Sequence, residues 1–211
     1  MKFDDFKKEF KSRMYILSRD VRTDQEDHQA MLNQLSRWQK RGLILPLRKG
    51  VYVLGPTQSS SSPDLLMLAN IIYEPSYVSL EYALHFYGLI PERVMQVTSI
   101  TTRKTKSFKN SFGCFVYQHL KPCAFRGFRQ ELGKGGSFFL AEPEKAVVDF
   151  LYLNLARFTH DPCRVMQESY RFQNMEDLQP ARLLELGHLF ECKKLMKVIG
   201  TLTEFLHQEC L

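Results

Sequence analysis

The sequence lacks an apolar run long enough to cross a bilayer. Its longest candidate, Leu65 to Tyr73, is broken by Asn70, whereas a spanning helix needs about 20 consecutive apolar residues. The opening Met1-Lys2-Phe3-Asp4-Asp5-Phe6 has no apolar core of the kind that marks a secretory signal, so the expected location is the cytoplasm, with no membrane partner. The five cysteines (Cys114, Cys123, Cys163, Cys192 and Cys210) are odd in number, widely spaced and never in a Cys-x-x-Cys pair. That pattern argues against a disulfide framework and a zinc site, and suggests inert packing residues in a reducing compartment. The six histidines show no ligand spacing either.

What is present suits a folded chain. With 211 residues and 44% hydrophobic content, one sizeable core or two small ones can form. The net charge of +6 is unevenly spread: residues 1–54 and 91–134 are basic, while 55–90 and 135–211 are acidic. Residues 55–90 contain no Lys or Arg at all. Segmental basicity is the footprint of a phosphate-backbone binder, since each neutralised phosphate releases condensed counterions. On charge alone, a solvated face is the simpler reading.

Read for periodicity, residues Phe3 to Lys11 predict a short amphipathic helix and Met14 to Leu17 an extended segment, with Ser18 placed to cap a short helix through Val21. Thr23 or Asp24 opens a longer helix to about Arg41, with Glu26 and Asp27 in its first turn and Lys40, Arg41 and Gly42 at its end, as the helix dipole favours. On that helix Met31, Leu35 and Trp38 fall on one side, with Leu32 at its margin, and Gln29, Asn33, Arg37 and Lys40 on the other. Two apolar strands follow, Leu43 to Leu47 and Val51 to Leu54, joined by Arg48-Lys49-Gly50, with Pro46 placed at an edge.

This order predicts a winged helix-turn-helix domain at residues 1–55, in which the long helix enters the major groove and the hairpin tip touches phosphates. Gln29 and Asn33 are the candidate base readers, because amides pair bidentately with adenine; Arg37 suits guanine or phosphate. Lys40, Arg48 and Lys49, with Arg19 and Arg22, are the candidate backbone contacts. The competing reading is a small α+β cap with ordinary surface charges.

Pro56 to Pro63, a polar serine run bounded by prolines, reads as a linker. Residues 64–211 read as an α+β domain with a small sheet and a helical C-terminus. The expected elements are helices at Asp64–Tyr73 and, capped by Ser79, Leu80–Tyr87 with a Gly88 stop. Strands are expected at Val94–Thr101, Gly113–Gln118, Ala124–Glu131 and Ser137–Leu140, with a basic loop from Thr102 to Asn110. Helices follow from Pro143 to about Arg157 and at Cys163–Phe172, Ala181–Phe190 and Cys192–Gln208. Within the basic loop, Arg103, Lys104, Lys106 and Lys109 are candidates for secondary contacts with nucleic acid or a protein partner.

No catalytic constellation stands out. Gly127 and Gly133-Lys134 fail the phosphate-loop spacing, and Gly135 stands where Ser or Thr should hold magnesium. His85 sits on a short apolar helix and reads as a core or interface residue. Glu142, Glu144, Lys145 and Asp149 form the densest ionisable cluster. They could build a metal-dependent nuclease site, but they read more simply as first-turn carboxylates and an i,i+4 pair worth a few tenths of a kcal/mol. No catalytic residue, metal or cofactor is assigned.

Four segments together carry a family resemblance: Trp38 to Ile44; Arg48 to Val53; Tyr77-Val78-Ser79-Leu80-Glu81-Tyr82-Ala83-Leu84-His85 through Pro91-Glu92; and Leu140-Ala141-Glu142-Pro143-Glu144-Lys145-Ala146 with Asp149. From about Tyr15 to Leu155 the chain resembles the AbiEi-type antitoxins of bacterial type IV, abortive-infection toxin–antitoxin systems. The resemblance implies a winged-helix repressor of its own operon joined to an antitoxin domain that opposes a nucleotidyltransferase-like toxin. The partners it implies are operator DNA and that toxin. The serine linker and the contents of the Asp24–Arg41 helix follow no family pattern.

Overall fold

The computed structural model describes residues 2–11, 13–21, 28–58, 63–158 and 160–209. Arg22, the Thr23/Asp24 helix start with Glu26 and Asp27, the serines of the linker at 59–62, and Cys210 lie outside the described residues. The fold is mixed α+β and contains two sheets.

The described residues up to Leu54 form a small head. Helix α1 (Phe3–Phe10) precedes strand β1 (Ile16–Leu17) and a 3-10 turn (Ser18–Asp20); helix α2 (His28–Lys40) precedes strands β2 (Ile44–Arg48) and β3 (Val51–Leu54). The sheet order is β1-β3-β2, so Pro46 sits on an edge strand, where its missing N–H removes no ladder bond. Ser18 does not cap: it lies inside the 3-10 turn, and its side chain makes no capping bond. The head has its own core of Phe6, Phe10, Ile16, Val21, Met31, Leu35, Trp38 and Ile44. Trp38 is its centre, with its ring 4.7 Å from Phe6 and 5.3 Å from Phe3.

The rest of the chain builds a six-stranded mixed sheet in the order β6-β7-β5-β4-β9-β8. Its strands are β4 (Ser76–Val78), β5 (Val97–Thr101), β6 (Lys106–Asn110), β7 (Gly113–His119), β8 (Phe128–Gly133) and β9 (Gly136–Ala141). Helix α3 (Leu65–Ile72), capped by Asp64 accepting from the Leu66 N–H at 2.8 Å, lies against one face; there the Tyr117 hydroxyl donates to the Ala69 carbonyl. The other face meets α4 (Leu80–Phe86) and α5 (Pro143–Leu153), backed by α7 (Pro180–His188) and α8 (Lys193–Glu209). A short helical stretch, α6 (Pro162–Arg164), runs on into a wider-pitched turn at Val165–Ser169. Gly88 takes the left-handed conformation expected of a helix stop, φ +69°.

Several elements differ from the sequence reading. Strand β4 lies between α3 and α4, where no strand was expected, because three residues are too few to show a period. The basic loop is largely strand β6; its Lys-Ser-Phe-Lys-Asn composition hides a strand whose pairing comes from β7. The Ala124 end of the third expected strand is instead a 3-10 turn at Pro122–Ala124. Helix α5 stops at Leu153 and gives way to a 3-10 turn at Leu155–Phe158. None of the four described cysteines is fully buried: Cys123 is exposed, whereas Cys192, half-buried, packs against the core of the sheet unit.

Candidate nucleic-acid interface

Helix α2 divides cleanly. Met31, Leu35 and Trp38 are buried, while Gln29, Asn33, Arg37 and Lys40 are exposed. On the outer face the two amides bond to each other, Gln29 Nε2 donating to Asn33 Oδ1 at 3.3 Å. An exposed hydrogen bond of this kind competes with water and costs little to exchange for a base edge. Arg19 is also exposed, and stands 3.9 Å from Asp20, whose other oxygen takes Arg13 at 3.0 Å.

At the hairpin the sequence reading needs correction. Arg48 and Val51 pair, leaving Lys49-Gly50 as the turn, with Gly50 at φ +79°. Lys49 is exposed. Arg48 is not a free tip residue. Its Nε donates to the Ile72 carbonyl at 2.6 Å and its Nη1 to the Lys49 carbonyl at 3.2 Å. Ile72 ends α3, so the guanidinium satisfies one of the carbonyls that a helix C-terminus leaves without an intrahelical partner.

The register shift between Pro46 and Arg48 is a β-bulge at Leu47. Such a bulge re-aims a side chain, and Leu47 joins Val51 and Val53 in the core of the sheet unit rather than that of the head. The Asn110 amide, from the end of β6, donates to the Leu47 carbonyl at 3.1 Å. The hairpin is therefore tied to the large sheet as well as to α2.

This seam brings together the two basic stretches that residues 55–90 separate in sequence. Strand β2 packs on β6, which carries exposed Lys106 and Lys109. Next to Ile72, Tyr73 supports Arg103, whose guanidinium lies 5.2 Å from the ring centroid and donates to the Glu74 carbonyl at 3.1 Å. Tyr73, Arg103, Lys104, Thr105 and His119 surround an open cleft of about 630 Å³. Lys106 lies over the Phe108 ring at 5.1 Å. These rings hold the cations in place without neutralising them.

The Glu142–Asp149 cluster is arranged quite differently: the expected i,i+4 pair is present, but it is buried, so the few tenths of a kcal/mol of a surface pair do not describe it. Lys145 and Asp149 are wholly buried and bonded to each other. Asp149 also accepts from the Tyr77 and Ser79 hydroxyls, each at 2.9 Å. That bond explains why Ser79 does not cap α4: its hydroxyl is committed to Asp149. The Lys145 ammonium lies 4.7 Å from the Phe190 ring centroid and 5.6 Å from that of Tyr77.

Burial pulls Lys145 below the ordinary lysine range, against the opposing pull of Asp149. It likewise pushes Asp149 above the ordinary carboxylate range. Burial, and then the Asp149 charge, raises the Tyr77 phenol well above its usual value.

The two glutamates have structural partners. Glu142 takes a two-pronged bond from Arg182 on α7, at 2.8 and 3.0 Å. Buried Glu144 accepts from the Gln179 N–H, at the start of the same helix, at 3.0 Å. These bonds join α5 to α7 and β4. They do not leave convergent carboxylates open to a metal, and among the described residues no group of three or more His, Cys, Asp or Glu side chains stands together as a ligand set. His85, on α4, is half-buried.

The sequence missed that Tyr77 and Ser79 of one motif bond to Asp149 of another. Seventy residues separate them, and no local pattern signals the contact. Compared with protein-family models and with curated proteins, the chain matches none.

Proposed function

We propose that this chain is a DNA-binding transcriptional regulator whose head acts as a winged helix-turn-helix. In this reading α2 enters the major groove, Gln29 and Asn33 meet base edges, and Arg37 meets guanine or phosphate. Lys40, Lys49 and Arg19 position the backbone. The observation that carries the reading is the division of α2: Trp38, Leu35 and Met31 are buried while Gln29, Asn33, Arg37 and Lys40 stand exposed. The order of helix, short strand, helical turn, helix and hairpin supports the same reading.

The bulged hairpin modifies the role of the wing. Arg48 orients the tip, and Lys49 makes the phosphate contact. The duplex then continues over Arg103, Lys104, Lys106 and Lys109, on or just before the strand that packs against β2. As the resemblance implies, the regulator represses its own operon and serves as the antitoxin of a nucleotidyltransferase-like toxin.

The test is titration of the purified chain with duplex from upstream of its own reading frame at several salt concentrations. Binding whose logarithm falls linearly with the logarithm of salt concentration, and which Gln29→Ala with Asn33→Ala makes indifferent to sequence, supports the proposal. Absence of binding at low salt overturns it. For the antitoxin role, co-expression with the product of a neighbouring nucleotidyltransferase-like frame must relieve growth arrest.

A further inference from the structure

The six-stranded sheet ends in two unlike edges. Strand β6 presents exposed Lys106, Ser107 and Lys109, and lysines on an edge are a standard block to pairing with another chain. Among the described residues, strand β8 has no ladder partner except β9. It carries Leu132, 89% exposed, beside Phe139 of β9, 42% exposed. Its two charged residues are opposite in sign: Arg129 Nε donates to Glu131 Oε1 at 2.6 Å.

The order of residues on β8 is self-complementary. When two copies run antiparallel about a two-fold axis at Gln130, Arg129 of each faces Glu131 of the other, Phe128 faces Leu132, and Gln130 faces its own counterpart. Beyond this stretch Gly127, at φ +77°, turns the chain off the edge. Opposite charges and aromatic–aliphatic pairs directly across a ladder are both favourable, and a two-fold interface requires this kind of self-matching.

We propose that β8 is the docking strand for a second copy of this chain, joined edge to edge so that the two sheets become one. The unpaired main-chain groups of β8 supply the hydrogen bonds, the two Arg129–Glu131 pairs fix the register, and Leu132 leaves water. The proposal does not depend on DNA binding.

Sedimentation of the full chain over a concentration series tests it, together with Arg129→Glu and the double variant Arg129→Glu/Glu131→Arg. Because Arg129→Glu puts like charges opposite each other at two symmetry-related places, dimerisation should weaken about tenfold, and the double variant should regain it. Opposed residues have Cβ atoms about 4.5–5.5 Å apart, so oxidised Gln130→Cys, in a Cys123→Ser background, should give a covalent dimer. A chain that stays monomeric at every concentration, or a dimer that Arg129→Glu leaves unchanged, overturns the proposal.

Discussion

On the outer face of α2 in the head, Gln29, Asn33, Arg37 and Lys40 stand exposed, and the two amides bond to each other. In the sheet unit, Glu142, Glu144, Lys145 and Asp149 all bond to other side chains or to other elements. By sequence the second group looks more like an active centre, being denser in ionisable residues. The fold reverses that impression. Charge at high density in the second unit holds α5, α7 and β4 together, while sparse polar residues at helical spacing in the head remain available to a partner.

The largest effect should come from breaking the buried network. Asp149→Ala leaves the Lys145 ammonium buried without its counter-charge, so about 3–5 kcal/mol of stability should be lost. Urea unfolding followed by far-ultraviolet circular dichroism measures this. Replacing both members, Lys145→Met with Asp149→Leu, should recover only part of the loss, because the Tyr77 and Ser79 hydroxyls would then lack their acceptor. A cost below 1 kcal/mol for Asp149→Ala would mean that the pair is hydrated.

Next in size is Leu35→Ala, which opens a cavity in the core that Leu35 shares with Trp38 and should cost about 2–5 kcal/mol. Trp38 is the sole tryptophan, so its fluorescence reports the head alone. The fluorescence midpoint should fall in Leu35→Ala, with little change in the transition of the sheet unit. If both transitions fall together, the two cores unfold as one body, and the contrast between head and sheet loses its energetic basis.

How much of this was legible in the sequence follows from the range of the forces involved. The two faces of α2, the hairpin with its Gly50 turn and the Gly88 helix stop all depend on periodicity or on a single backbone conformation, and they stand in the structure where the residues place them. Strand β4 was invisible because three residues carry no period, and β6 because this edge strand buries none of its side chains fully, Phe108 and Asn110 being only half-buried. The partners of Ser79 and Arg48 were misread for a related reason. A serine before a helix and an arginine at a hairpin have plausible local roles, and only tertiary structure offers them Asp149 and the Ile72 carbonyl instead. The convergence of the two basic stretches likewise depends on the bulge at Leu47, which leaves no mark in the pattern of residue types.

Arg48→Ala tests whether that tie couples the two units. Losing a charged donor to the Ile72 carbonyl should cost about 1–2 kcal/mol, and it should widen the gap between the Trp38 fluorescence transition and the circular dichroism transition. Because Arg48 is committed to α3, the same substitution should change the salt dependence of DNA binding less than Lys49→Ala does. Equal changes in salt dependence would return Arg48 to the role of a phosphate contact.

The smallest effects on stability should accompany the clearest effects on binding. Arg37→Ala, Lys40→Ala and Lys49→Ala remove exposed side chains, so each should alter stability by about 0.5 kcal/mol or less. Each that meets a phosphate should lower the slope of log affinity against log salt by about one. Arg103→Ala and Lys106→Ala extend the test across the β2–β6 seam. If they lower the slope as Lys49→Ala does, the head and the edge of the sheet grip one continuous backbone. If only the α2 and hairpin variants change it, the duplex ends at the wing, and the basic edge strand serves chiefly to keep a second chain from pairing there.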